Sequence, residues 1–382
     1  MPALAPLHGL RVVELARILA GPWAGQILAD LGASVVKVES PAGDDTRSWG
    51  PPFIERADGS SDAAYFHAAN RGKQSVAIDF GSEEGQAAVR ELIREADVVI
   101  ENFKVGGLAR FGLDYVSLAA INPRLVYCSI TGFGQDGPYA ARPGYDFIVQ
   151  GMSGIMDLTG DPAGAPQKIG VAYADIMTGL YSVIAIQAAL AERARSGAGQ
   201  HIDMALLDVM VGTLANQAMN LLTSGHSPRR LGNAHPNIAP YEAYPTADSW
   251  FILAVGNDEQ FRRCCKILGI DVGEEYATNA MRLERREALN VQLVEATRRW
   301  KRDELLAALA AEGVPAGPIN SVADAFDDPQ VIHRGMRLDI DDGCGGVLPS
   351  VRLPVRFSRS PLAAPVASPR LAAATGIPPD LS

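Results

Sequence analysis

The sequence is poor in cysteine. Its four cysteines, Cys128, Cys264, Cys265 and Cys344, form no Cys-x-x-Cys motif and no cluster with histidine. A structural zinc site would need such a cluster, and a disulfide framework is typical of small secreted domains. The sequence therefore predicts a protein of the reducing cytoplasm, with no bound metal and no disulfide framework.

Positive charge is also scarce. Lysine and arginine total 34 against 44 aspartates and glutamates, which gives a formal net charge of −10 among 382 residues. Nucleic acids and anionic membranes carry dense negative charge, so an acidic protein is not expected to bind either broadly. Any polyanionic ligand must be held by a local basic pocket.

Long apolar runs are missing as well. The longest, from Ile176 to Ala191, contains Thr178, Ser182 and Gln187 and is shorter than the roughly 20 residues of a membrane span. The N-terminus shows neither the basic start nor the continuous apolar stretch of a signal peptide. With 47% hydrophobic and 20% charged residues, the composition indicates an ordinary globular protein without a membrane partner.

Strand and helix patterns alternate over the first 200 residues, which predicts an α/β fold with a Rossmann-like parallel sheet. The Gly-x-Gly-x-x-Gly fingerprint of dinucleotide binding does not follow the first strand. Helix 176–193 is apolar on nearly every face, which predicts burial on all sides. The predicted strands are 10–15, 33–39, 75–79, 97–100, 124–131 and 200–205, and the other predicted helices are 22–31, 82–95 (with Ser82 as N-cap) and 206–222.

A change to polar and turn-forming residues near 224–230 predicts a linker. The strand 250–255 and the helices 258–268, 284–300 and 302–312 then indicate a smaller α+β domain. Asn257 is expected to cap the first of these helices, with Gln260 closing a capping box. The predicted boundaries are 1–224 with 330–382 for the large domain, and 225–329 for the small one.

Asp175 stands alone among apolar residues, directly before the predicted helix at 176. A carboxylate there is expected to cap the helix by accepting backbone N–H bonds. The helix dipole would keep it ionised at neutral pH. An ionised, fixed carboxylate can also act as a nucleophile without a general base, so the residues alone leave both roles open.

Several short segments are spread in order over nearly the whole chain. They are 13–22 (VELARILAGP), 30–39 (DLGASVVKVE), 70–73 (NRGK), 101–103 (ENF), 132–134 (GFG), 143–146 (PGYD) and 174–175 (AD). Each is too short to be specific alone. Their order and spacing resemble those of the class III, formyl-CoA transferase-like coenzyme A transferases, also called the CaiB/BaiF family.

The resemblance implies a homodimer of two interlocked rings, in which the C-terminal segment of each subunit completes its large domain. It implies acyl-CoA and a carboxylic acid as substrates, with no prosthetic group. The aspartate that matches Asp175 attacks the thioester and forms a mixed anhydride, from which coenzyme A then makes an aspartyl thioester. The acceptor carboxylate attacks that thioester in turn.

The resemblance also implies contacts to coenzyme A. It places Asn102 and Phe103 near the adenine and matches Arg110 to a phosphate contact, with Lys73 as a further candidate. Charge alone points to a local cationic set that a pyrophosphate and a 3′-phosphate would need. The members of that set are Arg71, Lys73, Lys104 and Arg110.

The loop after the first strand supplies further candidates. Ile18 and Ala20 match positions whose backbone lines the pantetheine arm. Arg17 is a candidate for binding a substrate carboxylate, because a guanidinium matches that group with two parallel hydrogen bonds. Tyr145 is the corresponding candidate in the 143–146 segment.

Tyr145 bears on the closest alternative. The α-methylacyl-CoA racemases share this fold but carry Gly-His-Asp where this chain has Gly144, Tyr145 and Asp146. A phenol with a pKa near 10 is a poor substitute for the histidine base, which favours transfer over racemisation. A nicotinamide dehydrogenase is disfavoured by the missing glycine fingerprint. A non-catalytic acyl-CoA-binding protein stays open.

The segment 231–268 resembles the branch that includes succinyl-CoA:dicarboxylate transferases. Succinyl-CoA is therefore the expected donor and a small dicarboxylate the expected acceptor, while carnitine and bile-acid transferases share much of the same pattern. Some relatives cover the aspartate with a glycine-rich loop. This chain has a single glycine there, Gly256.

Overall fold

The computed structural model describes residues 3–56, 58–271 and 273–372. The strands are β1 (Arg11–Glu14), β2 (Ser34–Glu39), β3 (Phe53–Glu55), β4 (Ser61–Ala63), β5 (Gln74–Ala77), β6 (Val98–Glu101), β7 (Val126–Thr131), β8 (His201–Ala205), β9 (Tyr241–Pro245), β10 (Trp250–Ala254), β11 (Ala316–Pro318), β12 (Arg337–Asp341) and β13 (Val347–Val351). The helices are α1 (Ala20–Asp30), α2 (Ala64–His67), α3 (Glu83–Arg94), α4 (Tyr115–Ile121), α5 (Asp146–Met152), α6 (Ile155–Leu158), α7 (Tyr173–Ser196), α8 (Leu206–Gly212), α9 (Ala215–Ser224), α10 (Asp258–Leu268), α11 (Asn279–Glu284), α12 (Arg286–Thr297), α13 (Arg302–Ala311), α14 (Val322–Asp327) and α15 (Pro329–His333).

The chain divides into two compact units. The first comprises Met1–Ile155, Lys168–Ser224 and Gln330–Ser382, and the second comprises Met156–Gln167 and Gly225–Pro329. The segment Met156–Gln167 thus groups with the second unit, whereas the sequence analysis placed it in the large domain. In that unit, Arg230 joins the two pieces by donating hydrogen bonds to the carbonyl oxygens of Asp161 and Gly164.

The first unit is built on a six-stranded parallel sheet of order β5-β2-β1-β6-β7-β8. This confirms the predicted α/β fold with a parallel sheet. Val12 and Val13 of β1 belong to separate hydrophobic clusters on the two faces, because successive residues of a strand point in opposite directions. Strands covered on both faces are largely apolar, which explains the paired valines of β1, β2 and β6.

The strand order reverses between β1 and β6. From β1 the chain proceeds outward to β2 and β5 on one side, and β6, β7 and β8 follow on the other. In open α/β sheets such a switch point leaves a crevice beyond the carboxyl ends of the strands. The loops after β1 and β6, which begin at Leu15 and Asn102, both start at this crevice.

Helix α7 differs from its prediction. It begins at Tyr173 and runs for 24 residues, and it is the one helix of the described chain with the length and composition of a membrane span. It packs on α1, where a Cβ added to Gly179 would lie 2.8 Å from the Ala20 carbonyl oxygen. Its other face is open: Ile184 is 62% exposed. The predicted burial on all sides is therefore wrong for the single chain, because only one face meets the sheet and α1.

The predicted helix 206–222 is two helices. Helix α8 ends at Gly212 and α9 begins at Ala215, whose φ of 48° is incompatible with a continuous right-handed helix. The predicted helix 284–300 is the single helix α12, which is shorter at both ends and covers Arg286–Thr297. Ser82 caps α3 as predicted, with its hydroxyl accepting the Gly85 N–H at 3.0 Å.

The second unit contains the antiparallel sheet β11-β10-β9, with Phe251 and Leu253 buried beneath it. Asn257 caps α10 as predicted and accepts the Gln260 N–H at 2.9 Å. The capping box is not closed as expected, because the Gln260 side chain accepts the N–H of Gly256 instead of Asn257.

The C-terminal part of the first unit returns to its N-terminal part. Ala363 donates its N–H to the Asp30 carbonyl oxygen at 2.9 Å, and Gly72 donates to Val366 at 2.9 Å. The buried Arg56 donates to the carbonyl oxygen of Ser368 at 2.8 Å. The last described segment is therefore an integral part of the unit that carries the sheet.

Candidate functional site

A cavity of about 380 Å³ opens at the switch point of the parallel sheet. Its walls come from the loops that follow β1, β6 and β7, together with the start of α7. The predicted residues among its lining are Arg17, Ile18, Ala20, Asn102, Phe103, Lys104, Arg110, Tyr145 and Asp175. The structure thus brings most of the predicted site into one place.

A second cavity of about 410 Å³ adjoins the first. It is lined by Arg17, Phe103, Arg110 and Phe111, which the first cavity shares, and by residues following β2 and β5. The rings of Phe80 and Phe103 lie 6.0 Å apart between their centroids within its wall. The two cavities therefore flank a common aromatic and cationic wall along the strand ends.

Asp175 lies in the first turn of α7 and does not cap it. The N-cap is Ala172, and no side chain of the cap bonds to the helix. Asp146 takes that role instead: its Oδ2 accepts the N–H of Ala174 at 2.8 Å and the N–H of Asp175 at 3.3 Å. The capping prediction for Asp175 is wrong because α7 begins three residues earlier than the apolar pattern suggests.

The Asp175 carboxylate faces the first cavity, and no donor among the described residues bonds to it. Burial, and then the neighbouring charge of Asp146, raise the pKa of Asp175 to about 7. The carboxylate is therefore only partly ionised at neutral pH, whereas the sequence predicted that it stays ionised. The helix dipole does not outweigh the loss of water and the repulsion between two carboxylates.

The loop from Ala16 to Leu19 has an unusual backbone. Ile18 adopts φ 71°, a left-handed conformation that β-branched residues rarely take. Its N–H is directed at the Asp44 carboxylate, 3.2 Å from Oδ2. Asn102 accepts the N–H of Arg17 at 2.9 Å and donates to its carbonyl oxygen at 2.7 Å. The Asn102 side chain is therefore occupied in holding this loop.

Arg17 and Arg110 both line the crevice, but within the described part of the chain Arg17 is in an ion pair and Arg110 is not. Arg17 Nη1 pairs with Asp45 Oδ2 at 2.9 Å, with both side chains about half exposed. The Arg110 guanidinium lies 4.4 Å from the centroid of the Phe111 ring, and no ion pair engages it among the described residues. Arg110 thus has the free charge that an anionic ligand requires, whereas Arg17 would exchange one partner for another.

The structure contradicts the phosphate-binding prediction for Lys73. Its side chain is fully buried, and its Nζ lies 2.7 Å from Glu14 Oε2, 2.8 Å from the Pro22 carbonyl oxygen and 2.9 Å from Asn70 Oδ1. An ammonium has three protons, and these acceptors use them all. Lys73 therefore stabilises the packing beneath α1 and lies outside the lining of both cavities.

Arg71 is corrected in the same way. Its guanidinium forms a two-pronged pair with the Asp30 carboxylate and donates to Ser350 Oγ at 3.3 Å. The side chain is 5% exposed and does not line either cavity. It joins α1 to β13 of the same unit and is not available to a ligand.

The sequence predicted no role for three further titratable residues, Tyr65, Glu101 and Asp146, of which only Asp146 lines one of the two cavities. Asp146 was assigned no role, although it positions the start of α7. Burial raises the pKa of Glu101 to about 7, and its carboxylate accepts the N–H of Phe103 at 2.8 Å. Burial, and then the charges of Asp175 and Asp146, raise the pKa of Tyr65, which places this phenol near both carboxylates. The ENF and PGYD segments contained signals for Glu101 and Asp146, whereas nothing local marked Tyr65.

Comparison with known proteins assigns the whole arrangement to one family. The sequence profile of CoA-transferase family III matches residues 7–375. A succinate–glutarate CoA-transferase of Agrobacterium fabrum is 60% identical over 371 residues, which cover 96% of this chain and 93% of that protein.

A human succinyl-CoA:glutarate CoA-transferase is 39% identical over 363 residues, covering 94% of this chain and 82% of that protein. The crystal structure of a CaiB/BaiF family protein from Brucella suis superimposes with a TM-score of 0.88 at 63% identity, covering 97% of both chains. These matches confirm the resemblance seen in the short segments. The protein belongs to CoA-transferase family III and is a CoA-transferase.

Proposed function

We propose that this enzyme moves coenzyme A between succinyl-CoA and a small dicarboxylic acid, with Asp175 as the nucleophile. The observation that carries the proposal is the Asp175 carboxylate, which faces the cavity without any bonded donor among the described residues. The relatives named above support the substrate class, since their names combine succinate or succinyl-CoA with glutarate.

In the first half of the reaction, a deprotonated Asp175 oxygen attacks the thioester carbonyl carbon, the C–S bond breaks and coenzyme A leaves as the thiolate. The thiolate then attacks the aspartyl carbonyl of the anhydride, which gives an aspartyl-CoA thioester and free succinate. The acceptor carboxylate repeats these two steps in reverse. No net proton is consumed, and a nucleophile with a pKa of about 7 is half ionised at neutral pH.

Coenzyme A is proposed to lie along the strand ends. Arg110 would meet its phosphates and Phe103 its adenine, since both line the wall common to the two cavities. The backbone at Ile18 and Ala20 would line the pantetheine arm, with Asn102 fixing the loop before them. Tyr145, which is 61% exposed, and Arg17 remain the proposed contacts to the acid.

We further propose that the enzyme is an interlocked homodimer. The open faces of α7 and α9 carry large apolar side chains, among them Ile184, Met219 and Leu222. A second copy of the chain would cover such a surface. The contacts of Ala363 and Val366 with the N-terminal part are compatible with a large domain of 1–224 and 330–382 that its C-terminal segment completes.

Cytoplasmic location and the lack of a prosthetic group are also proposals. All four cysteines are free, which suits a reducing compartment. Among the described residues, α7 alone has the length and composition of a membrane span, and it packs against α1 and the parallel sheet of its own unit. The proposed chemistry needs only the carboxylate of Asp175 and the two substrates.

The racemase and the non-catalytic binder are less favoured. A racemase requires two titratable groups that face each other across the α-carbon. Tyr145 occupies the histidine position, and the described lining of the first cavity includes no histidine. A binder would not need an aspartate whose carboxylate is left without donors beside a carboxylate neighbour.

The test is mass spectrometry of the protein after brief incubation with succinyl-CoA. The proposal is supported if coenzyme A is found joined to the tryptic peptide from Ile169 to Arg193 and if glutarate discharges this adduct. Asp175→Asn protein should form no adduct. Failure to form any adduct while α-proton exchange occurs on 2-methylacyl-CoA would replace it with the racemase. If neither reaction occurs but the protein still binds coenzyme A, the function would be that of a non-catalytic acyl-CoA-binding protein.

A further inference from the structure

Side chains from three separate segments hold the backbone of residues 16–18. Lys37 Nζ donates to the Ala16 carbonyl oxygen at 2.9 Å, and Asn102 bonds to both the N–H and the carbonyl oxygen of Arg17. The Asp44 carboxylate accepts the N–H of Ile18, with its oxygens at 3.2 and 3.4 Å. We call Lys37, Asp44 and Asn102 the loop clamp.

The clamp acts on a strained residue. Ile18 and Ala215 are the only described residues other than glycine with positive φ, and Ile18 alone of the two is β-branched. A β-branched residue in the left-handed region persists only where the surroundings impose that conformation. Ile18 lines the same cavity as Asp175, so the imposed conformation shapes the proposed reaction space.

Lys37 and Asp44 support the loop from below. Their side chains are each 1% exposed, and Lys37 Nζ lies 2.9 Å from Asp44 Oδ2 and 3.1 Å from Glu14 Oε1. Thr46 fixes Asp44 further by donating from its N–H and its hydroxyl. A buried ion pair is a weak source of stability compared with apolar residues of the same size, so its value here lies in fixing geometry.

We propose that Lys37 and Asp44 are positioning residues for acyl transfer, which act through the backbone of Ala16 and Ile18 to place the acyl-CoA thioester against Asp175. The inference rests on the proposed function, because it concerns the geometry that the Asp175 reaction requires. Small displacements of reacting groups have large kinetic effects, whereas phosphate contacts made elsewhere would still bind the coenzyme. Loss of the clamp should therefore lower kcat more than it raises KM.

The decisive experiment is a double-mutant cycle between Asp44 and Ile18, measured as kcat for coenzyme A transfer from succinyl-CoA to glutarate. Asp44→Ala should reduce kcat by about tenfold or more, with a smaller change in KM. In a chain carrying Ile18→Gly, the same Asp44→Ala change should cost less than about threefold, because glycine adopts positive φ without strain. An equal loss in both backgrounds, or no loss at all, would overturn the proposal.

Asp248→Ala is the matched control. Asp248 also holds a loop, by accepting the Arg302 N–H at 2.9 Å and the Thr246 hydroxyl at 3.0 Å, but it belongs to the second compact unit. It should lower thermal stability without the kcat loss, and a kcat loss equal to that of Asp44→Ala would count against a specific role. Asp44→Asn keeps an acceptor for Ile18 and should fall between wild type and Asp44→Ala, which provides a second variant if the alanine does not fold.

The two proposals fail differently. If wild-type protein forms the Asp175 adduct but the Asp44 variants keep the wild-type kcat, only the positioning role is overturned. Wild-type protein that forms no adduct overturns both. A crystal structure of Asp44→Ala in which Ile18 has left the positive-φ region would support the clamp directly, and an unchanged φ would contradict it.

Discussion

The Asp146 carboxylate accepts the backbone N–H of Asp175 at 3.3 Å, so one acidic residue fixes the backbone of the other while its charge opposes ionisation of the second side chain. The same neighbour thus fixes the position of the proposed nucleophile and adds to the rise of its pKa, of which burial is the larger cause. The pH dependence of the reaction should therefore measure the ionisation of Asp175 and the effect of Asp146 on it.

Coenzyme A transfer should lose activity below neutral pH. Because the raised pKa of Asp175 is about 7, the ionised nucleophile disappears as the pH falls through that value. Asp146→Asn removes the neighbouring charge and should move the acid limb of the kcat/KM profile to lower pH. An acid limb that stays in place would show that Asp146 does not influence the titrating group.

Asp175→Asn should stabilise the fold at alkaline pH. The folded-state pKa of about 7 lies above the ordinary value of 3.8, so ionisation of Asp175 destabilises the folded protein as the pH rises through that interval. Since the two pKa values differ by about 3, the gain at pH 8 should be on the order of 4 kcal/mol, and it should shrink towards pH 4. Urea unfolding of both proteins at pH 5 and pH 8 measures the difference, and a gain independent of pH would contradict this explanation.

Arg110→Ala should raise KM for succinyl-CoA by about tenfold, with a smaller effect on kcat, because a phosphate contact is made equally in the ground and transition states. Arg298→Ala provides the control, since Arg298 is an exposed arginine of the second unit. Steady-state kinetics at several succinyl-CoA concentrations separate the two parameters. Equal KM values for the two variants would remove Arg110 from the coenzyme site.

Lys73→Met should destabilise the protein by about 3 kcal/mol, because it leaves buried acceptors around Glu14 and Asn70 without their donor. Denaturant unfolding measures this loss. If Lys73 instead bound a phosphate, the variant would raise KM while its stability stayed near that of wild type.

Gly179→Ala should destabilise the packing of α7 on α1 by about 1 to 3 kcal/mol, since its Cβ would lie 2.8 Å from the Ala20 carbonyl oxygen. Gly212→Ala at the end of α8 is the matched control, because nothing lies within 4 Å of its added Cβ. In thermal melts, Gly179→Ala should lower the melting temperature, whereas Gly212→Ala should change it less or raise it. Equal melting temperatures would show that α7 can shift to make room.

The sequence was sufficient for the parallel sheet and for the position of Asp175, because valine runs and an isolated acid among apolar residues are local signals. It failed where a partner is distant in sequence. In the sequence Lys73 resembles a surface cation, but in the fold it pairs with Glu14, 59 positions earlier. Asp146 likewise caps α7 through the N–H of Ala174, 28 positions later. The left-handed φ of Ile18 was equally hidden, since it depends on Asp44 and not on the isoleucine itself.

The return of the last segment affects how the protein can be made. Asp30 and Gly72 leave the ribosome early, but their partners Ala363 and Val366 follow only after the second unit has been synthesised. During translation the early parallel strands must wait for these partners, while residues 225–329 can already collapse around their own core. Nascent chains stalled before residue 360 should therefore leave the first unit exposed to proteases and chaperones, so synthesis of residues 363–368 is the step that commits this unit to its native state.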